Sequence, residues 1–218
     1  MVEGGDYQVV MMAKDITGNV GMGTFNKEIL TVSTTELEYP PSDVGIIPWT
    51  NSTITDPEYS QIIYTTTIAD GEYKVWATSQ YDTTYPYHKA FENNLVNGQG
   101  WYSATTFSGG NATHTRGFEA LMIQIPNSIR ITKYKILPYN DPNNYSPTEF
   151  YLDGSNDGVE WTEIDHQVGV TSWSFVYKEF TITPPPHVYN TFRLRVLTIN
   201  GANIVIVTEM KIYGYPAE

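Results

Sequence analysis

The segment from residue 147 to 162, PTEFYLDGSNDGVEWT, limits the fold of this chain more than any other segment. Its apolar side chains Phe150 and Leu152 alternate with more polar neighbours, the period of two that is typical of a strand with one buried face. The Asp157–Gly158 pair then favours a turn, because these residue types tolerate positive φ angles. The alternation resumes and places Trp161 on the inner face. The segment therefore predicts an antiparallel hairpin that directs an aromatic side chain at a core.

The composition of the whole chain also favours strands. Tyr, Thr, Ile and Val are plentiful among its 218 residues, and long runs of helix formers are missing. The 24 acidic and 12 basic residues give a net charge of −12, which would repel a phosphate backbone, so we expect no nucleic-acid partner. The chain contains no cysteine and can therefore form neither a disulfide nor a thiolate metal site. No apolar run approaches the roughly 18 residues of a membrane span, so we expect no membrane insertion.

The residues of the hairpin also follow a motif, F-x-L-x-G-S-N-D-G-x-x-W. This motif resembles the signature hairpin of the discoidin family, also called coagulation factor 5/8 type C domains or family 32 carbohydrate-binding modules. Other segments resemble the family in the same order along the chain, namely 73–79, 88–93, Trp101, 120–136, 189–196 and 209–214. The resemblance implies an all-β fold, a discoidin-type jelly-roll β-sandwich of about eight antiparallel strands.

The chain divides into three predicted parts. Residues 1–32 are predicted to form a β-hairpin that resembles the end of a fibronectin-type or immunoglobulin-like repeat. Residues 33–60 contain several Pro, Ser and Thr turn signals and are predicted to be a linker. Residues 61–218 are predicted to form the discoidin-like domain. A lone hairpin is marginally stable, so the first part either packs on the domain, completes a neighbouring chain's sheet, or belongs to a longer protein.

The family resemblance also implies a structural calcium ion. Members commonly bind calcium at a loop with the motif A-F-D-G, assisted by a glutamate near the C-terminus, and such oxygen ligands suit this hard cation. The matching candidates in this chain are Ala90, Glu92, Asn94, Asn97 and Glu209. The loop departs from the motif because Glu92 and Asn93 stand in place of Asp and Gly. A loop held by hydrogen bonds without a metal is the alternative, and the sequence leaves both open.

Ligand binding in the family uses loops at one end of the sandwich, where aromatic side chains stack on sugar rings beside a few polar groups. The candidate residues in the matching loops are Tyr81, Tyr85, Tyr87, Trp101, Tyr102, His114, Arg116, Tyr139 and Asn140. Each tyrosine has an alternative role, because tyrosines routinely cap sandwich ends and line interfaces. Three N-glycosylation sequons, at Asn51, Asn111 and Asn144, fall in predicted loops and favour a surface location.

These observations predict a non-catalytic recognition module that binds a glycan or another surface. The four histidines are scattered and no hydrolase motif occurs, so we expect no enzymatic activity. The composition is similar to that of surface proteins of large DNA viruses and phages, which suggests a virion or extracellular location. The alternative is a structural capsid-associated protein that binds no sugar and contacts neighbouring virion chains, in part through the N-terminal hairpin.

Overall fold

The computed structural model describes residues 35–96, 98–183 and 187–217. The predicted N-terminal hairpin, residues 1–32, lies outside these residues. The described strands are β1 (Leu37–Tyr39), β2 (Thr50–Thr55), β3 (Ile62–Ile68), β4 (Gly71–Ala77), β5 (Trp101–Tyr102), β6 (Phe107–Ser108), β7 (Asn111–Ala112), β8 (Glu119–Pro138), β9 (Pro147–Ser155), β10 (Thr162–Val168), β11 (Lys178–Thr181), β12 (His187–Ile199) and β13 (Ile206–Pro216). Two short 3₁₀ helices, Ser42–Val44 and Tyr87–Phe91, and one helix, α1 (Pro142–Tyr145), complete the described elements.

The long strand β8 organises the fold. Its first half pairs with β4 and β12, and its second half pairs with β13 and β11. All of these pairs are antiparallel, and the main path of hydrogen-bonded strands is β10-β9-β12-β8-β4-β3-β2. Because β8 takes part in both groups of strands, it passes from one layer to the other. The architecture is the all-β, discoidin-type sandwich that the sequence predicts.

Rows of apolar side chains across neighbouring strands build the core. Leu194 of β12 lies opposite Leu121 of β8 on one side and Leu152 of β9 on the other, and all three are buried. Phe150 pairs with Val196 in the next row, and both are fully buried. Burying one such side chain stabilises the fold by about 1.5–3 kcal/mol. The alternation that predicts the strand of residues 150–152 therefore also identifies the face that packs against the core.

The predicted hairpin forms, but its turn is wider than a two-residue connection. Strand β9 pairs with β10, and Asp157 Oδ1 accepts hydrogen bonds from the backbone N–H groups of Val159 (2.8 Å) and Glu160 (2.9 Å). Gly158 alone adopts a positive φ there, +74°. Trp161 precedes β10, is half-buried, and packs against the core as the pattern predicts.

The prediction of a linker over residues 33–60 is wrong for the part that the structure describes. Strand β1 pairs with β13 and strand β2 pairs with β3, so both belong to the sheet. Between them, Ile47 is buried and its N–H donates to the carbonyl of Glu92 (2.9 Å). The Pro and Ser signals mark turns between these short strands. Proline is tolerated there because the prolines of this segment lie outside the strands, where no ladder hydrogen bond needs their missing N–H.

Candidate ligand-binding end of the sandwich

Three loops meet at one end of the domain. They connect β4 to β8 (residues 78–118), β8 to β9 (139–146) and β12 to β13 (200–205). Backbone hydrogen bonds join them: Ser103 N–H donates to Val205 O (3.1 Å), and Ala202 N–H donates to Asn144 O (3.2 Å). Neighbouring strands are antiparallel, so the end of one strand lies beside the start of the next. The loops that leave β4, β8 and β12 therefore meet at the same end of the domain.

Four tyrosines from these loops form what we call the tyrosine cluster, Tyr85, Tyr102, Tyr139 and Tyr145. Tyr85 stacks on Tyr102 with ring centroids 4.1 Å apart, and Tyr139 meets Tyr102 edge-on at 6.0 Å. Tyr145 in turn meets Tyr139 edge-on at 5.7 Å. Such stacked and edge-to-face geometries are the favoured arrangements of aromatic pairs. The cluster is therefore an ordered set of rings.

The tyrosine cluster has a buried base and a more exposed rim. Tyr102 is buried with Ile204 and Ile206, whereas the other three rings are half-buried and keep part of their surface in solvent. Burial, together with the neighbouring phenols of Tyr139 and Tyr85, raises the pKa of Tyr102 above its usual range. Its hydroxyl group is therefore neutral at physiological pH. An aromatic rim that carries hydroxyl groups can both stack on an apolar surface and exchange hydrogen bonds.

A polar network, Thr78, Ser79, His114, Arg116 and Glu119, lies in the longest of these loops and at its two ends. The Glu119 carboxylate is fully buried and accepts hydrogen bonds from Thr78 Oγ1, Ser79 Oγ (2.6 Å) and Arg116 Nη2 (2.8 Å). His114 Nε2 lies 2.9 Å from the same carboxylate. A buried carboxylate is costly unless it is paired, so the cation and the two hydroxyl groups stabilise it in this place.

The polar network and the tyrosine cluster are connected through the backbone. Ser79 Oγ accepts a hydrogen bond from Ala104 N–H (3.0 Å), two residues after Tyr102, and Tyr81 N–H donates to the carbonyl of Tyr102 (2.8 Å). The side chains of His114 and Arg116 keep 35% and 26% of their surface exposed while they contact Glu119. The exposed parts of these two side chains can therefore meet a ligand without a large change of conformation.

Two residues of the predicted ligand set belong to the core instead. Trp101 has no exposed surface and donates its indole N–H to Ser79 O (2.8 Å). Tyr87 is also buried, and its hydroxyl donates to the carbonyl of Ile62. Both sit in short ordered segments within the long loop, which turn their side chains inward. The sequence pattern predicts exposed loops for these segments, and it does not distinguish a core ring from a ring that faces a ligand.

The remaining predicted residues lie at this end. Tyr85 and Tyr139 are members of the tyrosine cluster, His114 and Arg116 belong to the polar network, and Asn140 is exposed next to Tyr139. Tyr102 is the buried base of that cluster, Tyr81 is exposed and donates its N–H to Tyr102 O, and the predicted set omits Tyr145.

One residue predicted to bind calcium, Glu209, lies beside a lysine ammonium group. Glu209 is buried, and its Oε1 accepts a hydrogen bond from Asn93 N–H (3.3 Å) and lies 3.6 Å from Lys211 Nζ. The ammonium group also donates to Asn93 Oδ1 and to Pro40 O (2.9 Å). Burial raises the pKa of Glu209 to about 7, although the charge of Lys211 and the hydrogen bond from Asn93 act in the opposite direction.

The other members of that set do not complete a cation cage. Glu92 lies 3.7 Å from His88 Nδ1 and accepts a hydrogen bond from Asn94 Nδ2 (3.4 Å). Ala90 is buried in the 3₁₀ helix, and Asn97 lies outside the described residues. Within the part of the chain that the structure describes, no three His, Asp or Glu side chains are arranged to hold a metal ion. The described residues therefore do not fit the calcium site that the family resemblance implies.

All three sequon asparagines are exposed, but the prediction that they lie in loops is wrong. Asn51 is in β2, Asn111 is in β7, and Asn144 is in α1 beside the tyrosine cluster.

No helix among the described residues is long and apolar enough to cross a membrane.

Comparison with solved structures finds the same fold. A family 32 carbohydrate-binding module from Clostridium perfringens, in complex with GalNAc-β-1,3-galactose, has a TM-score of 0.53, with 17% identity over 64% of this chain and 94% of that one. A second such module from the same organism, in complex with galactose, has a TM-score of 0.50, with 17% identity over 65% of this chain and 93% of that one. The F5/8 type C domain of a Bacteroides fragilis protein has a TM-score of 0.54, with 16% identity over 70% of this chain and 98% of that one.

Sequence comparison gives a partial relative and a family. A peptide-N4-(N-acetyl-β-glucosaminyl)asparagine amidase from Arabidopsis thaliana is 33% identical over 76 residues, which are 34% of this chain and 10% of that protein. The chain therefore spans about a tenth of the length of this curated relative. The F5/8 type C domain profile matches residues 74–210, more than half of the chain, and includes the signature hairpin, the tyrosine cluster and the polar network. The chain belongs to the F5/8 type C (discoidin) domain family.

Proposed function

We propose that this domain is a non-catalytic recognition module that binds a glycan at the tyrosine cluster. The observation that carries the proposal is the half-exposed aromatic rim of Tyr85, Tyr139 and Tyr145, held on a buried base at the loop end of the sandwich. Sugar rings present apolar C–H faces that pack on aromatic rings, and their hydroxyl groups need only a few directional partners. Two structural neighbours were solved in complex with galactose or with a galactose-containing disaccharide.

The neighbouring polar groups support binding and argue against catalysis. The Arg116 N–H groups that do not contact Phe118 or Glu119 can donate to sugar hydroxyl oxygens, and the partly exposed ring of His114 can contact the sugar. The carboxylate nearest to them, Glu119, is fully buried and compensated by Arg116. A general acid or base must reach the group whose proton it transfers, and this carboxylate is enclosed. We therefore assign Glu119 a positioning role for the two side chains above it.

The charge of the chain narrows the ligand class. A net charge of −12 would repel sialylated, sulfated or phosphorylated glycans at long range. We therefore propose a neutral glycan. An extracellular or particle surface is the location that this proposal requires, and the three exposed sequon asparagines agree with it.

A glycan array with the intact chain tests the proposal, with Tyr139→Ala as the binding variant. We expect binding to neutral glycans and a loss of at least about tenfold in affinity on removal of this ring. Tyr215→Ala is the matched control, because Tyr215 is also half-buried but lies near the opposite end of β13. Trp101→Ala would be uninformative, since that ring is in the core.

Two results would contradict the proposal. The first is an array on which the intact chain binds no glycan, which would favour the alternative of a structural virion protein that contacts neighbouring chains. The second is unchanged affinity in Tyr139→Ala, which would move the site away from the tyrosine cluster. Equal melting temperatures of the variant and the control would establish that a lost signal reports binding and not unfolding.

A further inference from the structure

The side chain of Lys211 is buried in the interior of the domain, which is unusual for a lysine. Its Nζ lies within 3.6 Å of four oxygen acceptors from three separate segments. These are the carbonyl of Pro40 after β1, Asn93 Oδ1 in the loop after the 3₁₀ helix, Glu38 Oε1 of β1 and Glu209 Oε1 of β13 itself. An ammonium group has three N–H donors, so this set of oxygens satisfies it.

The position of this ammonium group coincides with the part of the fold where family resemblance implies a calcium ion. Asn93 follows Glu92, and Glu209 is two residues before Lys211, on the same face of β13. We propose that the Lys211 ammonium is a built-in cation that replaces calcium in this domain. It compensates Glu209 and joins the N-terminal strand, the loop around residue 93 and the closing strand.

Calcium and this ammonium group exclude each other on electrostatic and geometric grounds. Calcium binds oxygen at about 2.3–2.6 Å, so an ion bound to Glu209 Oε1 would lie within about 6 Å of Nζ, given the 3.6 Å between these two atoms. Two positive charges this close repel strongly in a buried site, where the dielectric constant is low. Calcium also needs six to eight oxygens, and the Asn93 and Pro40 oxygens already accept from the ammonium group.

The first test measures the melting temperature of the intact chain in excess EDTA and in excess calcium. A ligand that binds only the folded state must raise its stability. We expect equal melting temperatures in the two conditions, and isothermal titration with calcium should give no binding heat. A rise of more than about 2 °C with calcium, or saturable binding heat, would overturn the proposal. Neither measurement involves a glycan, so failure here leaves the proposed function unaffected.

The second test removes the charge with Lys211→Met, which keeps most of the side-chain volume. We expect a fall of at least about 6 °C in the melting temperature, because the variant leaves a buried carboxylate without its cation. Lys135→Met is the matched control. Lys135 lies on β8 opposite Lys211, but it is 27% exposed and pairs with Glu179 at the surface. A Lys211→Met variant as stable as this control would overturn the proposal.

A double variant covers the case in which Lys211→Met unfolds. Adding Glu209→Gln removes the buried charge that the lysine compensates, so the Lys211→Met/Glu209→Gln protein should recover folding or melt at a higher temperature than Lys211→Met alone. Additive losses, or a double variant that is also unfolded, would show that the lysine acts by packing and would overturn the compensation of charge.

Discussion

Asp153 binds two arginines in the interior of the sheet, and removing its charge gives a quantitative test of the packing described above. Asp153 Oδ2 accepts hydrogen bonds from Arg193 Nε and Arg195 Nε (2.9 Å each), and Oδ1 accepts from Arg195 Nη2 (3.1 Å). The carboxylate is 1% exposed. Burial lowers the pKa of Arg195, but the hydrogen bonds and charge of Asp153 more than offset this, so the net pKa is raised.

The Asp153→Asn variant keeps the shape and one acceptor but leaves two guanidinium groups without a counter-charge. Breaking a fully buried pair costs about 3–5 kcal/mol. Because the side chains of Arg193 and Arg195 keep 11% and 22% of their surface exposed, solvent compensates part of the loss. We therefore expect a decrease of about 2–4 kcal/mol in the free energy of unfolding, which corresponds to about 4–16 °C in melting temperature for a domain of this size.

Urea unfolding monitored by tryptophan fluorescence measures this loss, with Glu163→Gln as the control. Glu163 lies opposite Asp153 in the β9–β10 pair but is exposed. Its neutralisation should change stability by less than about 1 kcal/mol. If the two variants lost the same small amount, the arginines would have found other partners or solvent, and the assignment of Asp153 as their common anchor would be wrong.

Two further predictions concern the signature hairpin. Gly154→Ala should lower the free energy of unfolding by about 1–3 kcal/mol, because a Cβ atom would overlap the ring of Tyr189 and lie 2.7 Å from Ile164 Cδ1. Thermal unfolding should show a smaller loss when the same substitution is made in a Tyr189→Ala background. Equal losses in the two backgrounds would refute the steric cause. The hydrogen bonds from the Val159 and Glu160 N–H groups, and then that from Ser155, lower the pKa of Asp157. Because its folded-state pKa is depressed, its contribution is present above the unfolded pKa and disappears as the pH falls, so the stability difference from Asp157→Asn should shrink between about pH 5 and about pH 3. A constant difference would contradict this reading.

The signature hairpin could be predicted from the sequence because its determinants are local. The alternation of Phe150 and Leu152 and the turn residues after them lie within a few positions of one another. The structural requirement for a glycine at position 154 could not be predicted from the local sequence. Gly154 suits a turn by type, but it lies within β9, where the space for a side chain is taken by Tyr189 from β12. That contact depends on strand order, which local pattern does not specify.

The candidate site could be predicted only in part, because its loops have local motifs but the packing of their side chains depends on distant segments. Family motifs indicated loops that do meet at one end of the domain, and Tyr85 and Tyr139 both contact Tyr102 in the tyrosine cluster. Whether a ring faces solvent or core depends on how each loop packs, and this reversed the assignment of Trp101. The burial of Lys211 could not be predicted from the sequence either, because a lysine side chain normally extends into solvent. Its burial results from strand β1, which lies in a segment predicted to be a linker.

Each of the three least exposed carboxylates among the described residues lies beside a lysine or arginine side chain. Glu119 is compensated by Arg116, Asp153 by Arg193 and Arg195, and Glu209 by Lys211. Four of the 12 lysine and arginine residues thus compensate interior charges in a chain with 24 acidic residues. The acidic excess is therefore larger among the remaining side chains than in the whole chain. A surface of this kind repels anions and attracts free cations, whereas the buried carboxylates have basic partners within the fold. The proposals of a neutral glycan ligand and of a lysine in place of calcium therefore rest on one observation, the distribution of the few basic residues.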